Sequence, residues 1–180
     1  CLEFSGVTSC GSNEVCRQGS CVFNTFPSRV FVTSQLYTGN LGGVTGANSK
    51  CQTIATSLRF GGVWKAWISS STYPASTNLI HSSYSYVLMN GVKIADNWAD
   101  LTDGTLDAPI NITESGAPAP GSSLGNVFTG TNATGGVSFT YDGGLIYRTC
   151  NDWTTDYSGS QATRGRIDRA NSQWTDNPSG

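Results

Sequence analysis

Four of the six cysteines, Cys1, Cys10, Cys16 and Cys21, fall within the first 21 positions; the others are Cys51 and Cys150. Residues 1–24, CLEFSGVTSCGSNEVCRQGSCVFN, hold few large apolar side chains and cannot build a core of their own. Crowded cysteines mean a disulfide framework or a metal knuckle. A zinc knuckle needs short Cys-x2-Cys pairs, none is present, and the single histidine, His81, is remote. Disulfides follow, and with them an oxidising compartment outside the cytoplasm. Four cysteines allow three pairings. Cys1–Cys16 with Cys10–Cys21 is favoured, because interleaving lets Gly11 and Gly19 make the two turns.

Cys1 has a rival fate, a lipid anchor of the kind that bacterial lipoproteins carry on a first cysteine. A lipid there would leave one of the other three thiols unpaired, which disfavours it. The chain then divides into a cysteine-rich segment, 1–24, a short linker, 25–29, with Pro27, and one larger domain, 30–180.

The larger domain is organised around VFVTSQLYTGNLGGVTGANSKCQTIATSLRFGGVWKAWIS, Val30 to Ser69. Val30 to Leu36 reads as a strand. A glycine-rich turn, Gly39 to Gly46, leads into a helix whose Ala47, Cys51, Ile54, Ala55 and Leu58 recur at threes and fours. Gly61 and Gly62 are placed to end it. Val63 to Ser69 reads as a second strand, with Trp64, Ala66 and Ile68 on one face.

Only 12% of the residues are charged, about half the usual share, while 37% are hydrophobic. Ser, Thr, Asn and Gly replace the missing charge, as is common in secreted, β-rich proteins. The net charge of -2 gives no basic footprint, which argues against nucleic acid as a partner. No apolar run approaches the ~18 residues that a membrane-spanning helix needs.

Further along, SSSTYPASTNLIHSS reads as a surface loop ending near His81. Tyr84 to Ala95 reads as a hairpin turning at Asn90-Gly91, a strong local signal. DNWADLTDGTLDAPINITE gathers Asp96, Asp100, Asp103 and Asp107 around Trp98. Carboxylates on one irregular loop suit calcium, but the spacing is not that of an EF-hand. The alternative is that these aspartates cap turns with their own side chains. Residues 115–126 form a loop, Val127 to Thr131 a strand, and Leu145 to Trp153 a buried strand containing the sixth cysteine. A second helix is expected around Ser160 to Asn171.

Five runs, namely Val30–Ser69, DNWADLTDGTL, PINITESG, FTGTNATG and CNDWT, stand in an order that resembles a bacterial family of secreted endostatin-like, C-type-lectin-like domains of spirochaetes and myxobacteria. The N-terminal cluster resembles the small cysteine-rich leader before such domains. The resemblance implies an α+β fold: a twisted, mainly antiparallel sheet with one or two helices and long loops. It also implies that Cys51 and Cys150 bridge to cysteines on a last strand, which this sequence does not supply. A Cys51–Cys150 bridge is the alternative.

The resemblance further implies a non-catalytic binding module at the cell surface, an adhesin or lectin-like protein recognising carbohydrate or protein. Its site is expected at Asp96, Trp98, Asp100, Asp103, Asn151, Asp152 and Trp153, an aromatic plate flanked by amides and carboxylates. Calcium-dependent sugar binding is weakened by the absence of a Glu-Pro-Asn-type tripeptide. A structural subunit of an extracellular fibre is the second reading, able to form homo-oligomers or polymers. An enzyme ranks last, since no Ser–His–Asp set or metal triad is visible.

Overall fold

The computed structural model describes residues 1–4, 14–17, 20–23, 26–120, 125–141, 143–157 and 160–177. The strands are β1 (Leu2–Phe4), β2 (Glu14–Arg17), β3 (Ser20–Phe23), β4 (Ser28–Val30), β5 (Val63–Lys65), β6 (Tyr86–Leu88), β7 (Lys93–Ala95), β8 (Asn126–Phe128), β9 (Phe139–Tyr141), β10 (Leu145–Tyr147) and β11 (Arg164–Arg166). The helices are α1 (Gly43–Ser57), α2 (Ala75–Asn78) and α3 (Trp98–Leu101), with a 3-10 turn at Ser172–Trp174. The architecture is mixed α+β, as expected. No helix among the described residues is long and apolar enough to cross a membrane.

Five strands form the main sheet in the order β5-β1-β4-β6-β7. β1 lies antiparallel between β5 and β4, β4 runs parallel to β6, and β6 and β7 form an antiparallel hairpin. The Asn90-Gly91 turn is as read from the sequence: Gly91 has φ 86°, and Leu88 N–H donates to Val92 O at 2.8 Å. Three strand pairs, β2–β3, β8–β11 and β9–β10, stand outside this sheet.

The α1 face matches its periodicity, with Ala47, Cys51 and Ala55 buried. The helix begins earlier than expected, at Gly43, and ends earlier, at Ser57. Leu58 caps it, exposed; Arg59 takes a left-handed conformation (φ 57°) at the helix end, and of the two glycines expected to end it, Gly62 takes one as well (φ 88°). The first-strand reading was too long. β4 stops at Val30, where its pairing with β6 ends, and Ser34 turns away to donate from N–H to Glu114 Oε2 at 2.9 Å.

The disulfide expectations are corrected. Cys1 pairs with Cys51, across 50 positions, and not with Cys16. That bridge also excludes Cys51–Cys150, and Cys150 is a buried free thiol. It excludes a lipid thioether at Cys1 as well, whose sulfur is already bonded. Pairing is a tertiary property: α1 delivers Cys51 beside β1, at a Cα–Cα distance of 5.4 Å within the normal disulfide range. Cys10 lies outside the described residues. Cys16 and Cys21 are paired positions of the β2–β3 ladder.

Two other expectations fail. Residues 160–171 hold strand β11 and turns instead of a helix, because Arg164–Arg166 pairs with β8. Leu145–Tyr147 is a strand, but an exposed one. The hydroxyl-rich composition is also not only surface. Ser69, Thr129, Thr131, Thr163 and Thr175 are buried. Ser69 Oγ and Thr131 Oγ1 lie 2.9 Å apart, Thr175 Oγ1 donates to Thr131 O at 2.9 Å, and Trp67 Nε1 donates to Thr175 Oγ1 at 2.7 Å. Such groups tolerate burial because each finds a partner.

Candidate functional site

The seven residues singled out from the sequence form two groups. The first surrounds α3. Asn97 caps this short helix by accepting from Asp100 N–H at 3.1 Å, the ordinary role of an asparagine there. Asp96 N–H donates to Asp100 Oδ2 at 2.6 Å. Asp103 Oδ1 accepts from Thr105 N–H at 2.8 Å and Thr105 Oγ1 at 2.9 Å, an Asx-type turn. Trp98 is half-buried. One ring contact is a parallel stack on His81, 4.0 Å between centroids, and another is with Trp67 at 5.8 Å.

Asp96, Asp100 and Asp107 present oxygens within 4.8 Å of one another, whereas Asp103 is not part of this set. A cation already stands among them. Lys93 Nζ bonds Asp96 Oδ1 and lies 2.9 Å from Asp107 Oδ2. These bonds, to Asp96 first and then to Asp107, push the lysine pKa upward. A calcium ion would have to displace this ammonium and find further oxygens to reach its usual six to eight.

The second group is Asn151, Asp152 and Trp153. Cys150 through Trp153 all have positive φ, 48°, 52°, 54° and 65°, so this stretch is one turn of left-handed helix. Each non-glycine residue in that conformation costs about 1–2 kcal/mol, least for Asn and Asp. The contacts around it are correspondingly dense. Trp153 is fully buried, and its Nε1 donates to Ser69 O at 2.7 Å. Trp153 O accepts from Leu41 and Gly42 N–H at 2.9 and 3.1 Å. Gly39 packs so close that a Cβ there would come within 2.6 Å of Cys150 Sγ. The glycine-rich run is thus the seat of the left-handed turn.

Asp152 fastens the same turn to the 69–71 segment. Its carboxylate accepts from Ser71 N–H at 2.6 Å, Ser71 Oγ at 2.7 Å and Thr149 Oγ1 at 3.0 Å. Burial pushes this carboxyl's pKa up, but the hydrogen bonds from Ser71 and Thr149 outweigh it and the net shift is downward. A carboxylate with a depressed folded pKa stabilises the fold above its unfolded pKa of about 3.9, and that contribution is lost as pH falls through the folded value. The stability gap between wild type and Asp152→Asn should therefore be constant at neutral pH and shrink below about pH 4. Urea titrations at several pH values measure it.

No hydrogen bond joins the two groups among the described residues. Each is attached to the segment 67–71: Trp98 to the Trp67 ring, Trp153 to Ser69 and Asp152 to Ser71. Of the seven, Asp152 and Trp153 are engaged in holding the chain, and Asn151, Asp96 and Asp103 are exposed.

Sequence reasoning missed a third surface. In the β9–β10 hairpin, Tyr147 stands opposite Phe139, and Leu145 opposite Tyr141. All four side chains lie on one face of the hairpin and are exposed, Tyr141 at 77% and Leu145 at 55%. Ile146 is exposed on the other face. The Leu145–Tyr147 run had read as buried because apolar residues normally are; position in the fold decides otherwise.

No protein-family model matches this sequence, and no curated protein matches it.

Proposed function

We propose that the protein is an extracellular, non-catalytic binding module, adhesin-like, acting on or outside a bacterial cell. The observation that carries this reading is the β9–β10 hairpin. Two strands alone are marginally stable, yet this pair holds Phe139, Tyr141, Leu145 and Tyr147 out toward solvent. Apolar surface kept exposed marks an interaction site, and tyrosine is enriched where contacts carry binding energy. Leu145 beside the rings, with Ile146 exposed on the other face, favours a protein surface over sugar alone. The five sequence runs described above support a C-type-lectin-like fold for the module. Calcium-dependent sugar binding is disfavoured by Lys93 among the carboxylates.

A non-catalytic role is supported by the state of the polar groups. The His81 ring is stacked on Trp98, with Nε2 2.8 Å from Ser76 O. Asp96 and Asp107 are paired with Lys93, and Asp152 is held by Ser71.

The second reading, a subunit of an extracellular fibre, is favoured by the same hairpin. β9 and β10 pair with no third strand among the described residues, and open edges invite a strand from another copy.

The experiment is a binding screen of extracellular proteins and glycans with the wild type and a Tyr141→Ser/Leu145→Ser variant. Exposed substitutions change stability by only about 0.5 kcal/mol, so the melting temperature should hold while binding falls at least about tenfold, as for loss of one good contact residue. Binding unaffected by the variant would refute the hairpin as the contact surface. Filaments by electron microscopy that the variant abolishes would select the fibre reading. Turnover of any polysaccharide in the screen would refute the non-catalytic assignment.

A further inference from the structure

The β2–β3 pair sets two cysteines opposite each other. Its antiparallel register matches Glu14 with Phe23, Val15 with Val22, Cys16 with Cys21 and Arg17 with Ser20. Two positions therefore separate the strands. A two-residue connection closes on a hydrogen-bonded pair, and pairs of the two kinds alternate along an antiparallel ladder. Arg17 and Ser20 are then a hydrogen-bonded pair, and Cys16 and Cys21 a non-hydrogen-bonded one. Residues opposed in that way stand about 4.5 Å apart at Cα, within the ~4.4–6.8 Å that a disulfide spans.

The other assigned cysteines leave this pair to itself. Cys1 and Cys51 are bonded to each other, and Cys150 is buried and free. The hairpin also lacks other means of cohesion. β2 and β3 form a sheet of two strands, with no third beside them among the described residues, and such a pair alone is marginal in water. Residues 14–23, EVCRQGSCVF, offer only Val15, Val22 and Phe23 as large apolar residues, too few for a core.

We propose that Cys16 and Cys21 form a disulfide that clips the β2–β3 hairpin, a redox site that opens under mild reduction while the main sheet stays folded. This pairing replaces the Cys10–Cys21 bridge expected from the sequence. It forms by exchange with a small-molecule or protein disulfide. One cysteine thiolate attacks that S–S bond, and the second cysteine then displaces the carrier from the mixed product. One S–S bond is made, one is broken, and the carrier leaves as two thiols. Reduction runs the same exchange backwards. The two bridges differ in what guards them. Cys51 is 4% exposed, and Cys1 donates from its backbone N–H to Phe31 O, next to an inner strand of the five-stranded sheet. A reductant reaches that bridge only after the sheet opens. The Cys16–Cys21 bond is guarded by one two-stranded ladder. The inference does not rest on the binding role proposed above.

The test maps the bridges of the whole oxidised chain. Free thiols are alkylated in denaturant without reduction. Trypsin and glutamyl endopeptidase then part the four N-terminal cysteines by cutting after Glu3, Glu14 and Arg17. Expected is the 15–17 peptide joined to 18–29. Peptide 4–14, which carries Cys10, joined to either one, or Cys16 and Cys21 both alkylated, overturns the pairing. Graded tris(2-carboxyethyl)phosphine on the native protein should free Cys16 and Cys21 first; opening of Cys1–Cys51 first, or of both together, overturns the separate clip. The Cys16→Ser/Cys21→Ser variant should melt within about 2 °C of wild type, since the main sheet is intact. It should be cut after Glu14 at least about tenfold faster, because proteolysis follows the population of the open form. Equal cutting rates, or a larger melting shift, overturn the clip.

Discussion

Cys1→Ser should lower the melting temperature by about 10 °C. The Cys1–Cys51 bridge spans 50 positions, and closing a loop of that length restricts the unfolded chain by about 4 kcal/mol in the chain-entropy model. For a chain of this size each kcal/mol corresponds to about 2–4 °C. The native side adds to the effect. β1 is an inner strand: Leu2 pairs with both Val30 and Lys65, and Cys1 N–H donates to Phe31 O at 2.8 Å. Released from its bridge, β1 keeps its short ladder to β5, its pairing with β4 and the backbone hydrogen bonds between Cys1 and Phe31. Its departure would expose the inner edges of β4 and β5 together. Cys51→Ser should give the same shift, and the double variant nothing further, since both remove one interaction. Calorimetry on the three variants checks this. Additive shifts would mean that the two sulfurs act separately.

Trp153→Ala should destabilise the protein by about 4 kcal/mol, the usual range for a fully buried aromatic. The side chain fills the space against Phe128, at a ring distance of 5.8 Å, and its indole N–H satisfies Ser69 O. Trp153→Phe keeps much of the volume and isolates the hydrogen bond, at about 1–2 kcal/mol with Ser69 O left unpaired. The left-handed turn provides an opposite-signed control. Asn151 is exposed at φ 52°. Asn151→Gly removes the conformational penalty and should be neutral or stabilise slightly. Denaturant unfolding of the three variants gives the order Gly at or above wild type, then Phe, then Ala. A stable Trp153→Ala would mean that the turn is held by its glycine seat alone.

Much of the local structure was legible in the sequence. The α1 face, the Asn90-Gly91 hairpin, the buried Trp64 and the turn-capping role of Asp103 each follow from a period or a side-chain chemistry acting within a few residues. What was not legible is set by distant contacts. The partner of Cys1 depends on where α1 places Cys51. The burial of Ser69 and Thr131 depends on their finding each other across 62 positions. The Cys150–Trp153 turn uses two residue types, Cys and Trp, that do not announce a left-handed backbone, and its support comes from Leu41 and Gly42. For the predicted site, the sequence grouped Asp96, Asp100 and Asp107 as neighbours, wrongly added Asp103, and could not show Lys93 standing between Asp96 and Asp107. The aromatic hairpin escaped because alternation cannot reveal which faces of a strand are left uncovered.

The long reach of the first disulfide also bears on how the oxidised protein is reached. In an unfolded, reduced chain, Cys1 meets nearer cysteines more often than Cys51. With loop closure falling as the three-halves power of length, Cys16 is favoured over Cys51 by about sixfold and Cys10 by more. Air oxidation should therefore first trap local pairs, and the native bridge must arise by thiolate attack on those mixed products. Its yield then rests on exchange catalysts and on early docking of α1 against the strand that follows Cys1.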